Sequence, residues 1–346
     1  MGRKKLLVIL SLMALVYACN KAAVDNLEGT TLIQFKTPDY FPQPVYHFET
    51  NPLTKEGFEL GRKLFYDPLL SYDNTISCGS CHIQTSAFTQ HGHSTSHGIF
   101  NQFGTRNAPP IMNLAWSKSY MWDGGVFDLD LQPIAPITNR VEMGDTVEHV
   151  IARLQKSSIY PGLFKRAFGT SEINANRMFK ALSQFMVMCV SANAKYDSVR
   201  RGQASFTSLE QAGYILYQQR CSTCHAEPLF TDNSFRNNGV RINSVNDQGR
   251  YTITLQDSDR YKFKVPSLRN LSYTAPYMHN GEIYQFDAIF YHYQYRITNT
   301  PNLDPLLKQN GRIGFTFTTD EQTKLTAFLK TLDDRSFVTD KRLSEQ

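Results

Sequence analysis

Two pentapeptides in this 346-residue chain carry its clearest chemistry: Cys78-Gly79-Ser80-Cys81-His82 and Cys221-Ser222-Thr223-Cys224-His225. Two thiols three residues apart reach the two vinyl groups on one edge of a porphyrin. The adjacent imidazole then lies under the iron, so each pentapeptide reads as a covalent c-type haem attachment site with its own proximal ligand. Rival readings fail on spacing. Zinc would use two Cys-x-x-Cys pairs from one domain, whereas 143 residues separate Cys78 from Cys221 and each pair has its own His. A thioredoxin-like pair needs a strand leading into the first Cys, and neither motif has one. A disulfide across such a gap would staple almost nothing. The expectation is two covalently bound haem c groups, on His82 and His225. Cys189 sits in a helical apolar stripe and reads as a buried core thiol.

Cys19 has a different setting. Arg3, Lys4 and Lys5 precede Leu6 to Val16, a run apolar apart from Ser11 and too short to span a bilayer, which is the pattern of a signal peptide over residues 1–18. Val16-Tyr17-Ala18-Cys19 looks like a bacterial lipobox, in which cleavage leaves Cys19 as the lipid-bearing N-terminus. The chain is therefore expected on the periplasmic side of a bacterial membrane, lipid-anchored, with residues 19–45 as a tether. No other hydrophobic run approaches the ~20 residues of a spanning helix. Hydrophobic residues at 41% and charged residues at 19% exclude disordered and collagen-like classes. Without the leader's basic trio, 33 basic residues face 31 acidic ones, which is no electrostatic footprint for nucleic acid.

Helices must position the two motifs. Leu53 to Tyr66 is amphipathic and leads toward the first. Thr146 caps a second helix that Pro161 is expected to end, and a third runs from about Ala175 through Val190. A polar stretch from Tyr196 to Phe206 reads as a linker. Ser208 and Gln211 form a capping box for a helix, Leu209 to Gln219, that leads into the second motif, and Thr319 and Gln322 repeat the device near the C-terminus. Tyr251 to Leu255 alternates, which suggests a short hairpin. The fold class predicted is mainly α, with two cytochrome c-like haem domains, 46–200 and 201–346, and long loops between their helices.

A haem that cleaves peroxide needs, above its open face, a group that takes a proton from one peroxide oxygen and returns it to the other. The stretch from Met121 to Gly144, with Val141-Glu142-Met143-Gly144 at its end, offers such a group, although a lone carboxylate after a loop is by itself an ordinary surface residue. Here the chain resembles the bacterial di-haem cytochrome c peroxidase and MauG family, over nearly all its mature length. The shared segments are both haem motifs, Leu64 to Pro68, Arg106 to Pro109, Trp122 to Gly144, Leu229 to Asn233, Phe263 to Asn270 and Thr274 to His279.

The resemblance implies roles position by position. Glu142 would be the acid-base residue over the His82 haem, with Gln132 and Pro136 beside it and Trp122 relaying electrons between the haems. Arg269 and His279 would lie against the haems. Asn107 with the carbonyls of Thr274 and Pro276 looks like the family's calcium site, whose hard oxygen ligands suit that ion. For the sixth ligand of the His225 haem, Met278 and Tyr293 compete; the family places it fourteen residues after His279, which favours Tyr293. That choice and the absence of a His at position 99, where Ile99 stands, resemble the MauG-like branch, although His91, His93 and His97 are close by. Gly125 departs from the family's Arg after Trp-Asp-Gly.

The activity expected is reduction of hydrogen peroxide to water with electrons from a small redox protein, a cytochrome c or a cupredoxin. A MauG-like oxidase acting on a partner protein and a non-catalytic electron carrier are the alternatives, and a homodimer stays open.

Overall fold

The computed structural model describes Leu27, residues 29–309 and residues 311–346. The leader, the lipobox with Cys19 and the first residues of the tether lie outside the described residues. The fold is mainly helical, with only two-residue strands among the described residues. Six helices frame it: α1 (Lys55–Tyr66), α2 (Val147–Lys156), α3 (Tyr160–Phe168), α4 (Ala175–Val187), α5 (Ser208–Arg220) and α6 (Thr319–Lys330).

The apolar residues separate into two clusters, and each is built around one helix pair that leads to one Cys-x-x-Cys-His motif. In the first, α1 buries Leu60, Leu64 and Phe65 against Leu182 and Phe185 of α4. In the second, Tyr217 of α5 packs with Leu325, Phe328 and Leu329 of α6. Both pairs approach at a glycine. A Cβ on Gly61 would lie 1.8 Å from the Ala181 carbonyl oxygen, and one on Gly213 would lie 1.9 Å from that of Lys324. Any side chain there would force the helices apart. The local sequences match: Gly61-x-x-Leu64-Phe65 and Gly213-x-x-Leu216-Tyr217.

Several sequence expectations shift. Pro161 does not simply end α2, which stops at Lys156; it occupies the first turn of α3, where its missing N–H has no partner to lose. The N-caps of α5 and α6 are Thr207 and Thr318, with Glu210 and Glu321 completing the capping boxes, one residue before the expected Ser208/Gln211 and Thr319/Gln322. A carboxylate accepts the cap N–H more strongly than an amide, and this selects the register. Tyr251–Thr254 forms a helical turn rather than a hairpin, and the pairing falls to Phe235–Arg236 with Phe263–Lys264, antiparallel.

The tether is structured from about residue 30. Ile33 donates to the Leu53 carbonyl at 2.9 Å, and Phe41 is buried with its ring 5.0 Å from Trp116, whose Nε1 donates to the Pro42 carbonyl at 2.7 Å. Nor is the stretch after Tyr196 free. Tyr196 is buried in the second cluster on a short helix, Lys195–Arg200. At the other end, Phe337, Val338 and Leu343 return to the first cluster, where Tyr66 Oη donates to the Leu343 carbonyl at 2.8 Å.

Candidate functional site

Beside the first motif the structure opens a cavity of about 390 Å³. Its wall includes Cys78, Cys81 and His82, then Gln132, Pro136 and Glu142, which were expected over this motif, and Trp122, which was expected between the two. The cavity is not a property of one unit alone. Leu229, Thr231, Lys264 and Pro266 close it from the second half of the chain.

Each motif presents its His in the same way. His82 Nδ1 is 2.8 Å from the Phe88 carbonyl oxygen, and His225 Nδ1 is 3.0 Å from that of Pro266 and 3.3 Å from that of Phe230. An Nδ1–H committed to a carbonyl fixes the tautomer and leaves Nε2 as the free lone pair, as a metal-bound imidazole requires. Burial lowers both imidazole pKa values and keeps the rings neutral. Phe88 and Phe230 both adopt positive φ, +59° and +56°, which turns their carbonyls back onto the rings. Each is followed by Thr. This repeated Phe-Thr after the motif is a signal that the sequence reading missed in the first unit.

None of the four motif cysteines is paired in a disulfide, and burial pushes Cys78 and Cys221 up to about 12. Lys264, which the sequence reading did not single out, faces the cavity with its Nζ donating to the Ser119 carbonyl at 2.6 Å, and burial lowers it to about 8. A largely buried ammonium with a neutral partner calls for an anion. The propionates of a haem supply carboxylates of that kind, so thiols, imidazole and ammonium together fit the group. Two haems should therefore be found on the polypeptide by intact mass after denaturation, and the double variant Cys221→Ala/Cys224→Ala should keep only one. Loss of both haems in that variant, or none in the parent, would contradict independent attachment.

Glu142 is held at the cavity by its own loop. Its Oε1 accepts from Asn139 Nδ2 at 2.8 Å, and its carbonyl accepts from the Ile99 amide at 2.8 Å. Burial raises its pKa, with the Asn139 bond opposing. A carboxyl shifted upward is better matched to proton transfer in both directions. Gln132 donates to the Met121 sulfur at 3.7 Å, and Pro136 lies on the helical turn Ile134–Thr138.

Trp122 is buried where the two halves meet. Its Nε1 donates to the Asn107 carbonyl at 2.8 Å, and its own carbonyl accepts from the Lys264 amide at 2.7 Å. Arg106 ties the same junction, bonding Asp123 through Nη1 at 2.5 Å and Asp247 through Nε at 2.5 Å. At Gly125, where the family has Arg, a Cβ would already be 2.9 Å from Ile253, and the neighbouring Arg250 places its guanidinium 3.8 Å from the Phe235 ring centre.

Asn107 donates its backbone N–H to the His279 carbonyl at 2.7 Å and its Nδ2 to the Ser94 carbonyl at 3.0 Å. Thr274 and Pro276 lie on the turn before His279. Among the described residues no cluster of three or more His, Cys, Asp or Glu is arranged to hold a metal. The His279 ring stacks on Phe263 at 3.5 Å, and burial lowers it to about 4. Arg269, expected against the haems, is held in the frame of the second half. It does not line the cavity; its guanidinium is fully buried in a two-pronged pair with Asp197, at 2.9 and 3.0 Å, and also bonds the Pro228 carbonyl. Its charge is satisfied within the frame.

Of the two expected ligand candidates for the second motif, Tyr293 lies close to its cysteines. Tyr293 sits on a π-turn, His292–Arg296, and its phenol is raised to about 12 by burial, with Cys221 and Cys224 close enough to add to the shift. Single π-turns concentrate at functional positions. Met278 has φ +72°. In the loop before the cavity, His97 packs between the rings of His93 and Phe103 at 4.5 and 4.4 Å; Ser96 lines the cavity, whereas His91, His93 and His97 do not. Ile99 packs against Gly144.

Comparison with known proteins agrees with this geometry. Residues 55–205 match the model of the family described as di-haem cytochrome c peroxidase. The chain is 33% identical over 323 residues to the methylamine utilization protein MauG of Methylorubrum extorquens, covering 92% of this chain and 90% of that protein. It is 34% identical over 291 residues to the cytochrome c551 peroxidase of Nitrosomonas europaea, covering 81% of each. A crystal structure of a MauG-like protein associated with microbial copper homeostasis superposes with a TM-score of 0.79 at 31% identity, over 90% of this chain and 99% of that one. With two haem motifs, a shared cavity and relatives along nearly its whole length, the chain belongs to the di-haem cytochrome c peroxidase and MauG family of oxidoreductases.

Proposed function

We propose that this protein reduces hydrogen peroxide to water at the His82 site, with electrons delivered by a small redox protein through the His225 site and Trp122. The observation that carries the reading is Glu142 and His82 facing one cavity. When bound, the haem supplies the redox-active iron. Glu142 takes a proton from one peroxide oxygen and returns it to the other as the O–O bond breaks; two electrons and two further protons complete two waters. Gln132 and Pro136 shape the wall, and Lys264 would supply the positive charge for the propionates of the bound group. Steady-state peroxide consumption with reduced cytochromes c and copper proteins tests this. Lack of turnover with every donor would overturn it.

Two haem domains, one for peroxide and one for electron entry, follow from this division of labour. With no loop imidazole reaching the cavity, the His82 site is open to peroxide without prior reduction. Tyr293, close to Cys221 and Cys224, supports His/Tyr coordination at the second site and with it the MauG-like alternative, oxidation of a partner protein. A phenolate stabilises ferric iron relative to a thioether, so Tyr293→Met should raise the potential of that haem and make peroxide reaction depend on a donor. A wild-type near-infrared band from sulfur to ferric iron, lost in Met278→Leu, would count against Tyr293.

Calcium at Asn107, Thr274 and Pro276 belongs to the same reading, checked by metal analysis before and after chelation. Lipid anchoring through Cys19 on the periplasmic face is checked by membrane fractionation of Cys19→Ser.

A further inference from the structure

The side chain of Asn238 stands between the two groups that compete for the second iron. Its Nδ2 donates to the Met278 sulfur at 3.4 Å, and its amide lies close enough to the Tyr293 phenol to oppose the upward push of burial on that group. The backbone that carries it is clamped on both sides. Asn237 is buried and donates through Nδ2 to Thr300 Oγ1 at 2.8 Å. Gly239 has φ +70°, a Cβ there would lie 2.4 Å from Ile297, and its carbonyl accepts from the Thr298 amide at 2.8 Å.

Asn238 is also tied to the segment that carries the phenol. Its carbonyl accepts from Nε2 of His292 at 3.1 Å, and His292 is buried next to Tyr293 on the π-turn. The backbone of Asn238 is thereby held beside the turn that carries the phenol.

An amide nitrogen has two N–H donors, and the acceptors here differ in strength. A thioether sulfur is weak, whereas a phenolate is anionic and takes a short, charge-assisted bond. Groups that hydrogen-bond a metal's ligand orient it and tune the metal.

We infer that Asn238 is the positioning residue of the sixth ligand at the His225 site: one N–H donates to the Tyr293 oxygen, orienting it toward the iron and withdrawing electron density from it, while the other holds Met278 as a spectator. The inference rests on Tyr293 being the ligand, as proposed above. Asn238 touches the ligand and not the iron.

The test is the reduction potential of the second haem in the intact two-haem protein, read by spectroelectrochemistry. A hydrogen bond to an ionised group shifts an equilibrium roughly tenfold or more. Asn238→Leu, close in size and without a donor, should therefore lower the potential by about 59 mV, the one-electron equivalent of tenfold. Asn238→Ser, which keeps a donor, should fall between that variant and wild type, and it serves if the Leu variant does not load both haems. Met278→Leu should leave the potential near wild type. An unchanged potential in Asn238→Leu, or a rise with a new sulfur-to-iron band, would overturn the assignment of Asn238 while leaving Tyr293 as ligand. An unchanged spectrum and potential in Tyr293→Phe would instead remove the ligand reading beneath it.

Discussion

Replacing Glu142 by Gln should lower peroxide turnover by about 10²- to 10⁴-fold while both haems still attach, because a positioned acid-base group contributes on that scale. Gln keeps the shape of the side chain and can keep the contact to Asn139, but it cannot accept and return a proton. The sign of the pH dependence follows from the same burial. The free carboxylate is the form that takes the first proton, and its pKa is raised. Wild-type turnover should therefore fall as pH drops through that raised value, from a higher starting point than an exposed glutamate would give. In Glu142→Gln this acid limb should flatten. Turnover within a few-fold of wild type, or an unchanged acid limb, would place the proton transfer on another residue.

The second large effect concerns stability. Arg269 and Asp197 are both fully buried, and the pair links the Lys195–Arg200 helix to the segment following Pro266. Asp197 also accepts from the Tyr40 hydroxyl and from the Ala194 amide, so it holds the structured tether as well. Removing one partner strands the other charge in a low-dielectric interior, which typically costs about 3–5 kcal/mol. Arg269→Met should lose about that much in chemical denaturation of the two-haem protein. The double variant Arg269→Met/Asp197→Leu should recover part of it, since no unpaired charge remains. A single-variant loss below about 1 kcal/mol would show that solvent reaches the site, contrary to its burial.

The position of Arg269 shows how a motif can be legible while its role is not. Phe263 to Asn270 was recognisable as a segment, but a sequence does not state which way a guanidinium points. The aromatic rings of Phe41, Tyr196 and Phe230 surround it within 5.1 to 5.8 Å, and they come from distant parts of the chain. Lys264 makes the opposite case. It lies in the same segment, attracted no attention beside the haem motifs, and faces the cavity because the antiparallel pairing with Phe235–Arg236 and the bond to Trp122 aim it there. Asn139 and Asn238 went unnoticed for the same reason: single asparagines in loops carry no periodicity.

What the sequence by itself determined was local and covalent. Cys-x-x-Cys-His places two thiols and an imidazole within one turn, so both haem attachments could be read from spacing, and the helices before them from apolar periodicity and caps. Cap register was missed by one residue because both neighbours are plausible caps and the carboxylate three residues on decides. Only the tertiary structure decided what faces the first motif across the cavity. Glu142 is 60 residues from His82, and Lys264 is farther still; they meet because loops from both halves close over one cavity. The tether and the C-terminal tail fold onto the first unit for an equally non-local reason: Phe41, Phe337 and Leu343 bury apolar surface that α1 and its neighbours leave available. Contacts of that kind follow from shape and burial across the whole chain, and no local pattern of residues encodes them.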